Sequence, residues 1–417
     1  MGQGNCEVNA ESKLNMDSET MEACKYMLHL MKCALNEMPG ELKPEQCSWK
    51  KVYGLISKNN VQGLTYYAVQ SFTDDMPEQL AKMWKTYRDT VIYKKLMMEE
   101  ERNAILSDLC WEKISFLLLK GCNIEKYYPK PGMRDMADND ILYGRVEQDE
   151  DGIYHIIGKT EEEREQTIRA TQKVLLDYMK KRGYETSGFY EKDDVCNKGE
   201  FYSFEMHRDL MDPGTELLKY YKNPWKNAIK NDDSNYEYHF SPEDEYLFYI
   251  AHEYKHYSSR GCGVRNLADF YVFLREEEKS LDWEYIKKEL EMMNLSEFEA
   301  QMRRLAFDAL SPKGVLDEQE EQILYNMCLD GTFGHFRTSL QRRVKNYEKE
   351  GEGVKKAKRR YYFYRFFPPD DFYEKRYPFF YRHRPLRPLL TIYRTVKGLL
   401  FHRNHLKKEM KDVLDTK

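Results

Sequence analysis

Apolar side chains recur at three- and four-residue spacing from about Met21 to Cys110. Met27, Leu28, Met31 and Leu35 form one run, which Pro39-Gly40 closes. After Pro77 the period resumes through Leu80, Met83, Trp84, Tyr87, Val91, Leu96 and Ile105. This spacing predicts a layer of three or four helices whose Met and aromatic stripes face a core. The pattern changes at Ile114. Ile114 to Leu119 is a short unbroken apolar run, as expected of a strand buried on both faces. A Lys-Gly pair, the turn-rich stretch YYPKPGMRDMA and a second short segment, Asn139 to Tyr143, follow it. Residues 144–159 are acidic and Gly-containing and read as a surface loop. Thr160 and Glu163 have the capping-box spacing and open a helix with Ile168, Val174, Leu175, Tyr178 and Met179 on its apolar face, stopped by Gly183. Residues 184–191 and 200–207 read as two strands joined by a polar connection. From Ser241-Pro242, a strong helix start, the helical period returns and holds to about Glu350.

These changes of pattern divide the chain into a helical region at 1–112, a strand-bearing core at 113–212, a helical domain at 213–352 and a C-terminal arm at 353–417. The length of 417 residues supports two to three domains. The overall charge of −5 conceals an asymmetry. From Val354 onward there are 18 Lys or Arg against 6 Asp or Glu, a net +12, which leaves −17 on residues 1–353. The arm is also aromatic (KKAKRRYYFYRFFPPDD, then YPFFYRHRPLRP). Such a segment either grips RNA or anionic lipid or folds back on the acidic body with its aromatics buried, and the second is the expectation here. No run reaches the roughly 18 apolar residues of a membrane span. The first twenty residues lack a basic and an apolar segment, so no secretory signal is expected. Nine cysteines with no C-x-x-C pair are expected to be reduced thiols, and the location cytoplasmic.

The stretch around Lys120, Gly121, Arg134, Asp138 and Asp140 is the most informative chemically. A strand running into Lys-Gly and an apparent helix start would gather backbone N–H groups and a cation where a phosphate could sit. On a strand, Asp138 and Asp140 would point to one face. Two ionised carboxylates side by side repel unless a cation neutralises them, which suggests Mg²⁺. Phe201 to His207 adds a third acid. Alternation puts Tyr202, Phe204 and Met206 on one face and Ser203, Glu205 and His207 on the other, so the strand either lines a cleft or is an edge strand with a wet face. Arg134 reads equally as a phosphate contact or as the partner of a structural Asp.

LLLKG, YPKPGMRDMADNDILY, FEMHRDL and the later His252/His256 helix with VRNLADFYVFL, taken together, resemble the uncharacterised nucleotidyltransferase family of the DNA polymerase beta-like superfamily. The resemblance runs from about Leu117 to Phe273, with weaker likeness in the N-terminal helices and in RFFPPDDFYEKRYPFF. It implies an α+β fold, with a small mixed-sheet nucleotidyltransferase core flanked by N- and C-terminal helical regions. It further implies that Asp138, Asp140 and Glu205 are the catalytic residues and the ligands of Mg²⁺ (or Mn²⁺), with Glu205 where Asp is more usual. Lys120 and Gly121 stand where a Gly-Ser pair is usual. With Arg134, His207 and His256 they would contact the nucleotide. The implied reaction transfers an NMP from an NTP to a hydroxyl acceptor (a small molecule, a protein or an RNA end) and releases pyrophosphate.

Two other readings compete. His252-Glu253-Tyr254-Lys255-His256 fits H-E-x-x-H, the helical zinc motif of metallopeptidases, with Glu276 to Glu278 as a possible third ligand. A non-catalytic nucleotide-binding module of the same fold is the other.

Overall fold

The computed structural model describes residues 17–187, 193–212, 215–259, 261–332, 344, 347, 353–368, 370, 373, 377–401, 410 and 413. The N-terminal helices form where the sequence pattern places them. Asp17 caps α1 (Ser18–Leu35), accepting from the Thr20 N–H at 2.7 Å. Ser48 caps α2 (Trp49–Lys58), and α3 (Gln62–Val69) follows. After Pro77 comes the 34-residue α4 (Glu78–Trp111). Each side-chain cap satisfies an N–H that the first helical turn leaves unpaired.

β1 (Ser115–Leu118) and β2 (Asn139–Gly144) pair antiparallel, Leu117 opposite Leu142. α5 (Gly121–Ile124) between them is a single turn. Residues 144–159 differ from the expected loop. They hold a two-stranded ribbon, β3 (Val146–Gln148) with β4 (Tyr154–Ile156), because the Asp149 carboxylate accepts from the N–H groups of Asp151 and Ile153 and closes a tight turn. α6 (Glu161–Lys181) carries the expected Thr160/Glu163 capping box. Where two strands are predicted, three occur: β5 (Glu185–Ser187), β6 (Asp193–Lys198) and β7 (Tyr202–His207). β6 falls in the predicted polar connection. Its Val195 and Cys196 pair with both neighbours, and ladder hydrogen bonds outweigh its polar composition. Residues 188–191 of the first predicted strand lie outside the described residues.

Two further strands come from the region read as helical. After α7 (Glu216–Tyr220), β8 (Ile229–Lys230) and β9 (Glu237–His239) extend the sheet, β9 lying parallel to β1. They are two and three residues long, too short to show a period. The result is a seven-stranded mixed sheet in the order β5-β6-β7-β2-β1-β9-β8, wider than the small sheet expected. The helices α8 (Pro242–Ser259), α9 (Arg265–Glu277), α10 (Trp283–Met293), α11 (Ser296–Leu310) and α12 (Glu318–Asp330) then follow. The architecture is α+β. Residues 333–343, 345, 346 and 348–350 of the predicted helical stretch lie outside the described residues.

The sheet is covered on both faces. Phe116, Ile141, Tyr143, Phe204 and Met206 pack with Ile105 and Leu109 of α4 and Leu175 and Met179 of α6. Leu117, Leu142 and Tyr238 point the other way, into the larger core formed with α1–α3 and α8–α12. β1 is thus buried on both sides, as its unbroken apolar run predicts. Alternation along β2 and β7 puts Asp140, Glu205 and His207 on the side opposite α4 and α6. In the C-terminal arm, the helix Val354–Phe366 packs with Val344 and Val413 in a small cluster of its own. The expectation that the arm buries its aromatics holds for Tyr361 and Tyr373, while Phe363, Phe366, Phe367 and Phe379 are exposed.

Candidate functional site

β2 and β7 run parallel, with Asp140 opposite Glu205. This register joins two acids that are 65 positions apart in sequence. Asp140, Glu205 and His207 each present a ligand atom within 4.8 Å of the others, the one such group of three among the described residues. His207 Nε2 lies 2.8 Å from Asp140 Oδ1 and 3.6 Å from Glu205 Oε2. Asp138 immediately precedes the strand, which starts at Asn139, and stays half-buried outside that group. Its neighbour Asn139 points to the opposite face and accepts from Arg102 of α4 at 3.0 Å.

Lys120, two residues past β1 at the N-cap of α5, adopts an unusual conformation, φ 50° and ψ −116°. A side chain is strained there, and glycine is the residue that adopts it readily. Its Nζ donates to Asp140 Oδ1 at 2.6 Å, so an ammonium group fills the acidic cluster. Gly121 is needed for space: a Cβ there would lie 2.5 Å from Arg134 Nη1. At the predicted phosphate position, the helix start is the single turn of α5 and Lys120 is paired with Asp140.

Electrostatics separate the three acids. Burial would raise Asp140, but Lys120 and His207 outweigh it and hold its carboxyl far below the usual range. Burial, then the Asp140 charge, raises Asp138. Burial, then Asp140 and Asp138, push Glu205 up to about 7. Burial works against the Lys120 ammonium, yet the surrounding carboxylates, Asp140 first, raise it. One acid is thus firmly ionised, while two more are held back by burial and by the neighbouring carboxylates and gain from an added cation. That donor set, carboxylate oxygens with one imidazole, fits a divalent ion such as Mg²⁺ or Mn²⁺, the imidazole suiting Mn²⁺ better.

Arg134 takes the structural arrangement. Its Nε and Nη2 donate to the two Asp269 oxygens at 2.8 and 3.0 Å, and Tyr128 donates to the same carboxylate at 2.7 Å. Asp269 lies on α9, so this buried fork ties the loop before β2 to the helical region. Asp135, beside it, binds Tyr87 and Lys94 of α4.

His252 and His256 lie one turn apart on α8, their Nε2 atoms 3.1 Å from each other. Tyr249, on the same helix, donates to the Lys120 carbonyl at 3.3 Å. Glu253 is buried and accepts from Asn266, 2.5 Å away. Of the expected third zinc ligands, Glu276 pairs with Arg275 and Glu277 accepts from Tyr127.

The sequence reading assigned no role to Arg265, although it opens the R-x-x-x-D spacing that ends at Asp269. It is the first residue of α9, its Nε is buried without a hydrogen-bond partner among the described residues, and its charge acts on both Asp138 and Asp269. The spacing was the available signal. Nothing in it distinguished Arg265, with hydrogen-bonding capacity to spare, from Arg134, which is tied down.

No curated protein and no solved structure matches the chain. A match to a protein family spans residues 45–150 and 166–311, taking in the sheet, the acidic cluster and α8 to α11 but not the RFFPPDDFYEKRYPFF segment. This covers more than half of the sequence, and the chain belongs to the uncharacterised nucleotidyltransferase family.

Proposed function

We propose that the protein transfers an NMP from an NTP to a hydroxyl acceptor and releases pyrophosphate. The observation that carries this reading is the parallel register of Asp140 against Glu205, with Asp138 just ahead of the strand. Asp138, Asp140 and Glu205 would hold Mg²⁺ or Mn²⁺, with His207 beside them. When bound, the metal supplies positive charge for the triphosphate and for the attacking and leaving oxygens. The core would be of the polymerase beta type. Lys120 balances the acidic cluster before nucleotide arrives, and Gly121 leaves room for the Arg134–Asp269 fork beneath the site. Arg265 offers the phosphates a guanidinium with hydrogen-bonding capacity to spare. His256, on the α8 face that follows Tyr249, would line the nucleotide side. The cytoplasmic location and the four-part division of the chain belong to the same reading.

The test is a thermal shift with each NTP and Mg²⁺ or Mn²⁺ on wild type, Asp138→Ala and Glu205→Gln, followed by pyrophosphate release in an acceptor screen. A ligand at a hundred times its Kd adds about 2.7 kcal/mol. Metal-dependent stabilisation lost in both variants supports the assignment. The absence of any NTP effect in the presence of either metal would overturn it.

One observation favours the non-catalytic variant of this reading. Lys120 and His207 both engage the Asp140 oxygen that a metal would use. NTP binding that is equally strong in EDTA, without pyrophosphate release, would select it.

A further inference from the structure

The arm beyond residue 353 plays no part in the chemistry above, yet it carries half of the large hydrophobic side chains exposed among the described residues. In the helix Val354–Phe366 and its C-cap, Phe363, Phe366 and Phe367 are 57%, 44% and 54% exposed. Their spacing of three and four places them on one face. In the helix Arg387–Phe401, Leu389, Ile392 and Tyr393 repeat that spacing at 59%, 59% and 58% exposure. The two stripes adjoin. Thr391, between Leu389 and Ile392, donates from Oγ1 to the Phe366 carbonyl at 3.2 Å. Asp370 ties the segments together by accepting from Arg384 and Arg387.

Among the described residues of the arm the exposed charge is mostly basic, with Asp370 the one acid. Lys355, Lys356, Arg359, Arg365, Arg382 and Arg384 are all exposed. An isolated polybasic tail would suit any polyanion, but here the cations border aliphatic as well as aromatic side chains. Nucleic acid has use for rings, which stack on bases, and none for Leu389 and Ile392. The acidic body of a second copy would satisfy the charge. A bilayer with anionic headgroups satisfies both, taking the apolar side chains at the acyl boundary and the Lys and Arg in the headgroup layer.

We propose that the two C-terminal helices form a membrane-surface binding site for anionic lipid, lying on the bilayer without crossing it.

The test uses the full chain in vesicle flotation with phosphatidylcholine alone or with one-quarter phosphatidylglycerol. Binding is expected to the anionic vesicles only and to weaken in high salt. Leu389→Ser/Ile392→Ser is expected to cut the bound fraction at least tenfold, with the melting temperature unchanged. Lys355→Glu/Arg359→Glu, which leaves the apolar stripes intact, is expected to do the same. Equal binding to neutral vesicles, or none to anionic ones, overturns the proposal. So does capture of a single-stranded RNA oligonucleotide that vesicles do not displace, or a dimer in sedimentation that Leu389→Ser/Ile392→Ser breaks and vesicles leave intact.

Discussion

The Lys120 ammonium donates to the Asp140 carboxylate at 2.6 Å from a backbone held at φ 50°, so a cation supplied by the chain neutralises the acid at the centre of the site. The strained backbone and the ion pair have opposite effects on stability. Strain of this kind costs about 1–3 kcal/mol, and the ion pair persists because three carboxylates surround the ammonium group.

Lys120→Gly removes both effects. The relaxed backbone offsets part of the loss, while the acids are left without their cation. The metal-free variant is expected to melt below wild type and to gain more from Mn²⁺ than wild type does. Differential scanning calorimetry with and without Mn²⁺ measures the difference. An equal metal response in the two proteins would mean that Lys120 does not balance the cluster.

Asp138 and Asp140 are expected to separate on mutation although both belong to one motif. Asp140→Ala strands Lys120 and His207 in a buried setting and should cost about 3–5 kcal/mol. Asp138→Ala, at a half-buried position ahead of the strand, should change stability by less than about 1 kcal/mol while abolishing metal-dependent nucleotide binding. Urea melts and nucleotide titrations on the two single variants distinguish the cases.

The two arginines should also part. Arg134→Ala takes the bidentate partner from buried Asp269, leaving it the Tyr128 hydrogen bond and the Arg265 charge, and is expected to destabilise by about 3–5 kcal/mol. Gly121→Ala, which presses on the same guanidinium, should cost about 1–3 kcal/mol. Arg265→Ala should leave folding nearly intact and raise the KM for NTP about tenfold, the worth of one charge-assisted contact. Steady-state kinetics of Arg265→Ala beside its melting curve checks this.

Glu101 of α4 should contribute to acid sensitivity. Hydrogen bonds from Arg182 first, then from Lys198 and Tyr184, outweigh its burial and lower its pKa to about 2. A carboxyl with a depressed folded-state pKa stabilises the fold above its unfolded value and loses that contribution as pH falls through the folded one. The effect should therefore be full above about pH 4.5 and gone near pH 2. Allowing for partial solvent screening, it is worth roughly 1–2 kcal/mol. Glu101→Gln should lose that amount at pH 7 and show a flatter profile between pH 4.5 and 2 in chemical denaturation.

Local order is what the sequence by itself determined. Asp17, Ser48 and the Thr160/Glu163 pair cap helices where the residue types require it, and Phe116-Leu117 turns to opposite cores because strand side chains alternate. The same alternation put Glu205 and His207 on one face of β7, and the spaced motifs pointed to the family. These are short-range effects, fixed within a turn or a strand. The tertiary structure decided everything that depends on partners distant in sequence. It alone set the register of β2 against β7, gave Asp140 both Lys120 and His207, tied Arg134 to Asp269 and left Arg265 with a buried Nε that has no partner among the described residues. The short β8 and β9, and the polar β6, became strands only because the sheet edge supplied their hydrogen bonds. A charged side chain carries no local signal of which opposite charge will reach it, and here that choice ties Arg134 into the fold and gathers Lys120 and His207 on Asp140.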